Sequence, residues 1–254
     1  MDAIIAAGGV PQPEDALYQY TQGKPKALLD INGTPMVQWV LDALNQADTI
    51  DNIIVVGCQE QQNELTSSKP ITFLPLQKDI LETVQAGGEA LQKINPAAEH
   101  VVLTSCDIPG ITPKSINWVV NATKESEHDF YYNAITRKSM EKRYPSSGRT
   151  FIKLKGLEVC GGDLTIVRTS LLSTDKEIFE RFFAARKSPF KVASLVGYST
   201  LLLLLARLLT LENGVARISR RTGMNAHVLV CPYAEIGMDI DKPHHLKMLR
   251  QDLA

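Results

Sequence analysis

Residues able to do chemistry appear near the start of the chain. An apolar run ends in Ala6-Ala7-Gly8-Gly9, and Gly23-Lys24-Pro25-Lys26 follows. A strand that runs into paired glycines exposes backbone N–H groups, which can cradle phosphate. Lys24 and Lys26 supply cations for a polyphosphate. Taken alone, Gly8-Gly9 fits a tight turn better, and the lysines fit a solvated loop. Carboxylates stand in Ser105-Cys106-Asp107-Ile108-Pro109 and Gly237-Met238-Asp239-Ile240-Asp241-Lys242-Pro243. Locally, Asp107 fits a turn with an N-cap, and Asp239 and Asp241 fit caps of a last helix. Arg149, Lys153 and Lys155 alternate along a strand-like stretch. They face either solvent or, together, a phosphorylated acceptor. Arg137, Lys138, Lys142 and Arg143 read as a surface cluster. No Gly-x-Gly-x-x-Gly follows the first apolar run, and Gly23-Lys24 lacks the earlier glycine of a P-loop.

The elements that must position these residues alternate in the first half. Ala3 to Ala6, Asn52 to Val56 and Val101 to Leu103 read as buried strands, and Ile71 to Leu74 as a short one. Thr34 and Pro35 suit an N-cap and first turn before Val37, Val40, Leu41 and Leu44. Asp79 can cap a helix carrying Leu81, Val84 and Leu91, and Pro113 opens one with Ile116, Val119 and Val120. This βαβα order predicts a mostly parallel sheet covered by helices on both faces. Later, Phe130 to Ile135, Thr150 to Leu154, Asp163 to Val167 and His227 to Cys231 read as strands. Residues 175–222 read as helical throughout, and Lys242 to Leu253 as a final helix. Phe179, Phe182 and Phe183 have core spacing. Arg186-Lys187 and Arg217, Arg220 and Arg221 add charge to this block, which roofs an acceptor cleft or forms a homodimer contact.

Composition narrows the partners. Lys plus Arg is 27 and Asp plus Glu is 28, a formal net charge of −1 over 254 residues. Nucleic acid or an anionic membrane would favour a basic excess, so neither is expected. Cys58, Cys106, Cys160 and Cys231 stand far apart, without metal-pair spacing, and read as buried thiols in a reducing cytoplasm. The N-terminus has no basic stretch before its apolar run, which argues against a secretory signal. Val192 to Leu211 is long and apolar enough to raise a membrane span. Ser194, Ser199, Thr200 and Arg207 interrupt it, and a buried helix with Arg207 paired in the core is the better reading.

The order Ala6-Ala7-Gly8-Gly9, Gly23-Lys24-Pro25-Lys26-Ala27-Leu28-Leu29 and Gly33-Thr34-Pro35-Met36 closely resembles the nucleotidyltransferases. These include the molybdenum-cofactor guanylyl- and cytidylyltransferases, the cobinamide-phosphate guanylyltransferases and the sugar-1-phosphate nucleotidylyltransferases. The best resemblance is to the MobA-like NTP transferases. It implies a three-layer α/β/α fold with a mostly parallel mixed sheet, of the nucleotide-diphospho-sugar transferase type. Residues 1–254 would then be one domain, with 175–222 a helical insertion or subdomain. The implied reaction joins an NMP from an NTP to a phosphorylated cofactor precursor or sugar phosphate and releases pyrophosphate. Ala7, Gly8, Gly9, Lys24 and Lys26 would hold phosphates. Gln77, Asp79 and Thr83 would lie near the base. Asp107, Asp239 and Asp241 would supply ligands for Mg2+. Lys26 and Asp107 would be catalytic, and Gly162 and Asp163, with Arg149 and Lys153, would meet the acceptor.

Two departures stand beside the resemblance. The family's loop usually carries an arginine, whereas Gly9 here is followed by Val10-Pro11-Gln12-Pro13-Glu14-Asp15 and no arginine precedes Lys24. An inactive nucleotide-binding or interaction module of the same fold is therefore the alternative. A glycosyltransferase ranks below it, because the Asp-x-Asp pair, Asp239 and Asp241, lies near the C-terminus rather than at a central strand. His244-His245 replaces acidic residues of relatives and reads as surface variation.

Overall fold

Alternation along the first strand organises the molecule. β1 (Asp2–Ala6) sends Ala3 and Ile5 into one core cluster and Ile4 into another, as the period of two in a strand requires. The computed structural model describes residues 1–124, 127–173 and 197–254. After β1 come α1 (Tyr18–Thr21), β2 (Asp30–Ile31), β3 (Thr34–Pro35), α2 (Met36–Gln46), β4 (Ile53–Val56), β5 (Ile71–Leu74), α3 (Ile80–Ile94), β6 (His100–Ser105) and α4 (Pro113–Ala122). The second half holds β7 (Phe130–Thr136), α5 (Arg137–Arg143), β8 (Ile152–Leu154), β9 (Leu157–Arg168), α6 (Ser170–Ser173), α7 (Tyr198–Leu205), α8 (Leu211–Thr222), β10 (Ala226–Cys231) and α9 (Pro243–Asp252).

The sheet runs β10-β7-β9-β6-β1-β4-β5, with β8 paired to β9. β1 is parallel to β4 and β6, β4 to β5, and β10 to β7, whereas β9 is antiparallel to β6, β7 and β8. A single reversed strand thus makes a mostly parallel sheet mixed, as expected. Val40, Leu41 and Leu44 of α2, Ile116 and Val119 of α4 and Leu246 and Leu249 of α9 cover one face. Val84 and Leu91 of α3 and Leu171 and Leu172 of α6 cover the other. Each such side chain contributes roughly 1.5–3 kcal/mol on burial. Helix starts follow local chemistry. Asp79 accepts from Leu81 N and Glu82 N at the head of α3. Thr112 and Ser115 form a capping box around Pro113.

Several expected boundaries shift. Thr34 and Pro35 pair with Ile31 and Asp30 in a two-residue ladder, and α2 begins at Met36. The strand expected over Thr150 to Leu154 begins at Ile152, and that expected over Asp163 to Val167 is the second half of β9. Gly161-Gly162-Asp163 therefore lies inside a strand rather than before one. It marks an irregularity. Tyr132 and Ala134 of β7 face Thr165 and Gly161, so two steps on β7 span four on β9.

Of the helical block, residues 174–196 lie outside the described residues, and with them Phe179, Phe182, Phe183, Arg186 and Lys187. The remainder is two helices rather than one, because Arg207 takes a left-handed conformation (φ 57°) after α7. The buried-helix expectation fails in this part. Tyr198, Leu202, Leu205 and Leu208 are exposed, and Arg207 is exposed rather than paired in the core. Among the described residues no helix is long and apolar enough to cross a membrane.

Candidate active site

The site forms where β1, β4 and β6 end, the edge of a parallel sheet at which such folds collect ligands. Backbone bonds carry the ladder past the strand ends: Ala7 N to Val56 O (2.8 Å), Cys106 N to Ala6 O (3.1 Å) and Gly57 N to Leu74 O (3.0 Å). The chain then turns through Gly8-Gly9. A Cβ on Gly8 would meet Leu76 Cδ1 at 2.9 Å and Thr83 Oγ1 at 3.7 Å, so glycine lets the loop settle against the start of α3. Lys26 N donates to Gly9 O at 2.7 Å, which fastens the lysine segment to the loop. The acidic stretch between them folds on itself, with Gln12 N donating to Asp15 Oδ2 at 2.7 Å. A cavity of about 260 Å³ lies between Gly9-Val10-Pro11 on one side and Lys26 and Asp241 on the other.

Asp241, which lines this cavity, gathers with Asp107 and Asp239, one carboxylate oxygen from each lying within 4.8 Å of the others. Ile240 N donates to Asp107 O at 2.9 Å, which ties the late loop to the end of β6. Lys26 Nζ donates to Asp107 Oδ2 at 2.6 Å and to Asp241 Oδ1 at 3.1 Å. Burial pulls the Lys26 pKa down, but Asp107 and then Asp241 more than offset this and hold it above the ordinary lysine value. Arg149 pairs with Asp239. Three carboxylates thus meet two cations and retain one negative charge. An all-oxygen donor set with residual negative charge fits a hard divalent cation such as Mg2+.

A second layer positions these groups. His245 is 3% exposed rather than a surface variant. Its Nδ1 accepts from Asp241 N at 3.3 Å and its Nε2 faces Ser147 O at 2.9 Å. One nitrogen accepts and the other donates, so the ring is neutral in a single tautomer. Burial, then His244, lowers its pKa accordingly. His245 joins Asp241 to the turn that precedes Arg149. His245→Phe is expected to lower kcat by about 10–100-fold while KM changes less than threefold, with His245→Gln recovering part of the loss. Steady-state kinetics of both variants check this, and an unchanged kcat in His245→Phe removes the positioning role.

The remaining expected residues divide. Lys24 is exposed on the loop. Gln77 Nε2 donates to Pro75 O at 2.9 Å. Asp79 Oδ1 caps α3, and buried Thr83 donates through Oγ1 to Asp79 O at 2.8 Å. These two side chains therefore shape the helix start against which Gly8 packs. Gly162 is packed among Asn133, Ile135 and Ile236, and half-buried Asp163 lines a second cavity. Arg149 and Lys153 do not share a strand face: Arg149 precedes β8 and reaches Asp239, while exposed Lys153 is paired with Glu158 in the β8–β9 register. Sequence reasoning missed His245 and Gly57, a glycine at φ +118° directly beneath Ala7 and Gly8. The only local signal for Gly57 is its place after the β-branched run of β4.

The second cavity, about 390 Å³, lies between α8 and the strands β6, β7, β9 and β10. The four cysteines are free and buried. Burial pushes the Cys58 thiol up to about 11 and Cys231 up to about 12, so neither offers a thiolate nucleophile at neutral pH.

A family model described as MobA-like NTP transferase domain matches residues 3–221. The bifunctional protein GlmU of Geobacter metallireducens is 26% identical over 125 residues, 44% of this chain and 26% of that protein. The chain thus spans about a quarter of that relative's length. A hypothetical transferase from Thermus thermophilus superposes with a TM-score of 0.83 at 31% identity, covering 96% of this chain and 98% of the other. The 4-diphosphocytidyl-2C-methyl-D-erythritol synthase of Anaerococcus prevotii has a TM-score of 0.58 at 13% identity, over 99% and 95% of the two chains, and shares the fold.

Proposed function

Because the chain belongs to the MobA-like NTP transferase family and so to the nucleotidyltransferases, we propose that it transfers an NMP from an NTP to a phosphate on a small acceptor. One observation carries this reading: the cavity lined by Gly9, Lys26 and Asp241 adjoins a group of three carboxylates, because Asp241 gathers with Asp107 and Asp239 within 4.8 Å. An acceptor phosphate oxygen attacks the α-phosphorus in line, and pyrophosphate leaves. Such transfer depends on positioning and charge neutralisation more than on covalent catalysis. The backbone at Gly8 and Gly9 holds phosphate oxygens. Lys26 stabilises charge developing across the α–β bridge. Mg2+ held by Asp107, Asp239 and Asp241 would supply Lewis-acid neutralisation of the phosphates. Arg149 keeps Asp239 oriented and limits the charge of the carboxylate group.

The same reading takes 1–254 as one domain, since β10 rejoins the sheet after the helical block, and places its work on small molecules in the cytoplasm. The purified protein is to be screened with the four NTPs, Mg2+ and a panel of phosphomonoesters, recording pyrophosphate. Release is expected with one NTP–acceptor combination, abolished by EDTA and reduced about 10²-fold in Asp107→Asn. No release with any combination, together with no NTP-dependent thermal shift, sinks the proposal in favour of an inactive module.

A further inference from the structure

The cavity under α8 opens beside the candidate active site and has a different chemistry. Ser105, two residues before Asp107, and Ala6, two before Gly8, are among its lining residues. Its depth is mostly carbon. Phe130, Tyr132 and Leu103 form the sheet side, and Val215, Ile218 and Met224 the helix side. Val215 and Ile218 are three apart on α8 and so share one face. Among the described residues that line the cavity there is no lysine or arginine, and Asp163 is its one carboxylate. The hydroxyls of Thr104 and Thr165 are already turned to the Ser105 and Leu103 carbonyls.

A phosphate meets no lysine or arginine in this lining, where the one imidazole, His227, packs against the His128 ring at 4.8 Å, whereas Lys26 and the three carboxylates lie outside the lining. The lining is mainly apolar despite Ser105, Asp163 and His227, so a polyhydroxylated sugar would set most of its hydroxyls against carbon, which costs binding. Cavities of this size and lining hold ligands with substantial apolar surface. We propose that the acceptor is a phosphomonoester with an apolar body, seated between α8 and the sheet with its phosphate at the rim. This rests on the nucleotidyl-transfer reading and narrows its acceptor. In the step, an oxygen of the acceptor's phosphate dianion forms a bond to the α-phosphorus. The bond from that phosphorus to the α–β bridging oxygen breaks, and pyrophosphate carries off the electron pair.

The test uses the full chain and four probes: 1-naphthyl phosphate, geranyl phosphate, glucose 1-phosphate and glycerol 1-phosphate. Binding is read by naphthyl fluorescence and by competition, and transfer by pyrophosphate release with each NTP. At least one apolar ester is expected to bind tenfold or more tighter than glucose 1-phosphate. Ile218→Gln and, separately, Val215→Gln are expected to weaken it at least fivefold while the NTP-dependent thermal shift stays unchanged. Equal or tighter binding of glucose 1-phosphate, or apolar binding indifferent to both variants, overturns the proposal. Pyrophosphate from the sugar or glycerol ester alone overturns the apolar acceptor and keeps nucleotidyl transfer. Binding of an apolar ester without release in any combination removes the transfer reading and the acceptor role with it.

Discussion

Replacing Lys26 by alanine is expected to slow pyrophosphate release by about 10²–10³-fold, the usual cost of removing one preorganised donor aimed at developing charge. Lys26 is tied to the glycine loop through its backbone and to Asp107 and Asp241 through Nζ, while Arg149, the other cation described at the group, is engaged by Asp239. Lys24 is exposed, and no arginine occurs between Gly9 and Lys24. Lys26→Ala also has a second, opposite expected effect. Without Lys26 the three carboxylates keep only Arg149 as a counterion, so their residual charge rises from one negative to two. Mn2+ titrated without nucleotide is expected to bind the variant more tightly than the wild type, by calorimetry or spin resonance. Slower turnover together with tighter metal binding distinguishes loss of a catalytic cation from general unfolding. A variant that keeps a tenth of wild-type turnover removes Lys26 from the mechanism.

Gly57→Ala is expected to destabilise the fold by about 2–5 kcal/mol, combining a left-handed-side backbone angle with overpacking. At φ +118° its added Cβ would lie 2.7 Å from Ala7 C, Gly8 Cα and Gly8 N. All three are backbone atoms, so no side-chain rotation relieves the contact. The loop must move, and the N–H groups proposed to hold phosphate move with it. Urea denaturation and NTP binding measured together check this, and both are expected to fall. Gly9→Ala serves as the control, because nothing lies within 4 Å of a Cβ there. Its stability is expected to change by less than about 0.5 kcal/mol. If Gly57→Ala costs under about 1 kcal/mol with NTP binding intact, the loop is not seated on Gly57 as described.

Much of the fold was legible because its signals are local. The β-branched runs of β4 and β6, the Asp79 cap and the Pro113 helix start each act within a few residues, and each stands where expected. The grouping of Lys26 with the three aspartates was legible in outline because these residues occur in the order of the resembled family. What stayed hidden depends on distant partners. Arg149 meets Asp239 across 90 positions, a pairing that its alternation with Lys153 did not indicate. His245 is buried because Ser147 and the Asp241 backbone enclose it, which no neighbouring residue announces. The leucines of α7 look like core by composition, yet exposure depends on which face is covered.

The carboxylate group joins residues from distant parts of the chain, Asp107 with Asp239 and Asp241. Lys26 and Asp241 meet across 215 positions, and closing so long a loop requires the sheet between them to be in place first. A growing chain can pair β1, β4 and β6 while Asp239 and Asp241 are still to be synthesised. Until those residues dock, it carries the glycine loop, Lys26 and Asp107 but only one of three carboxylates. On the proposed reading, metal binding is then expected to arrive in one late step, and a chain clipped before Asp239 is expected to be inert toward nucleotide even with its central sheet folded.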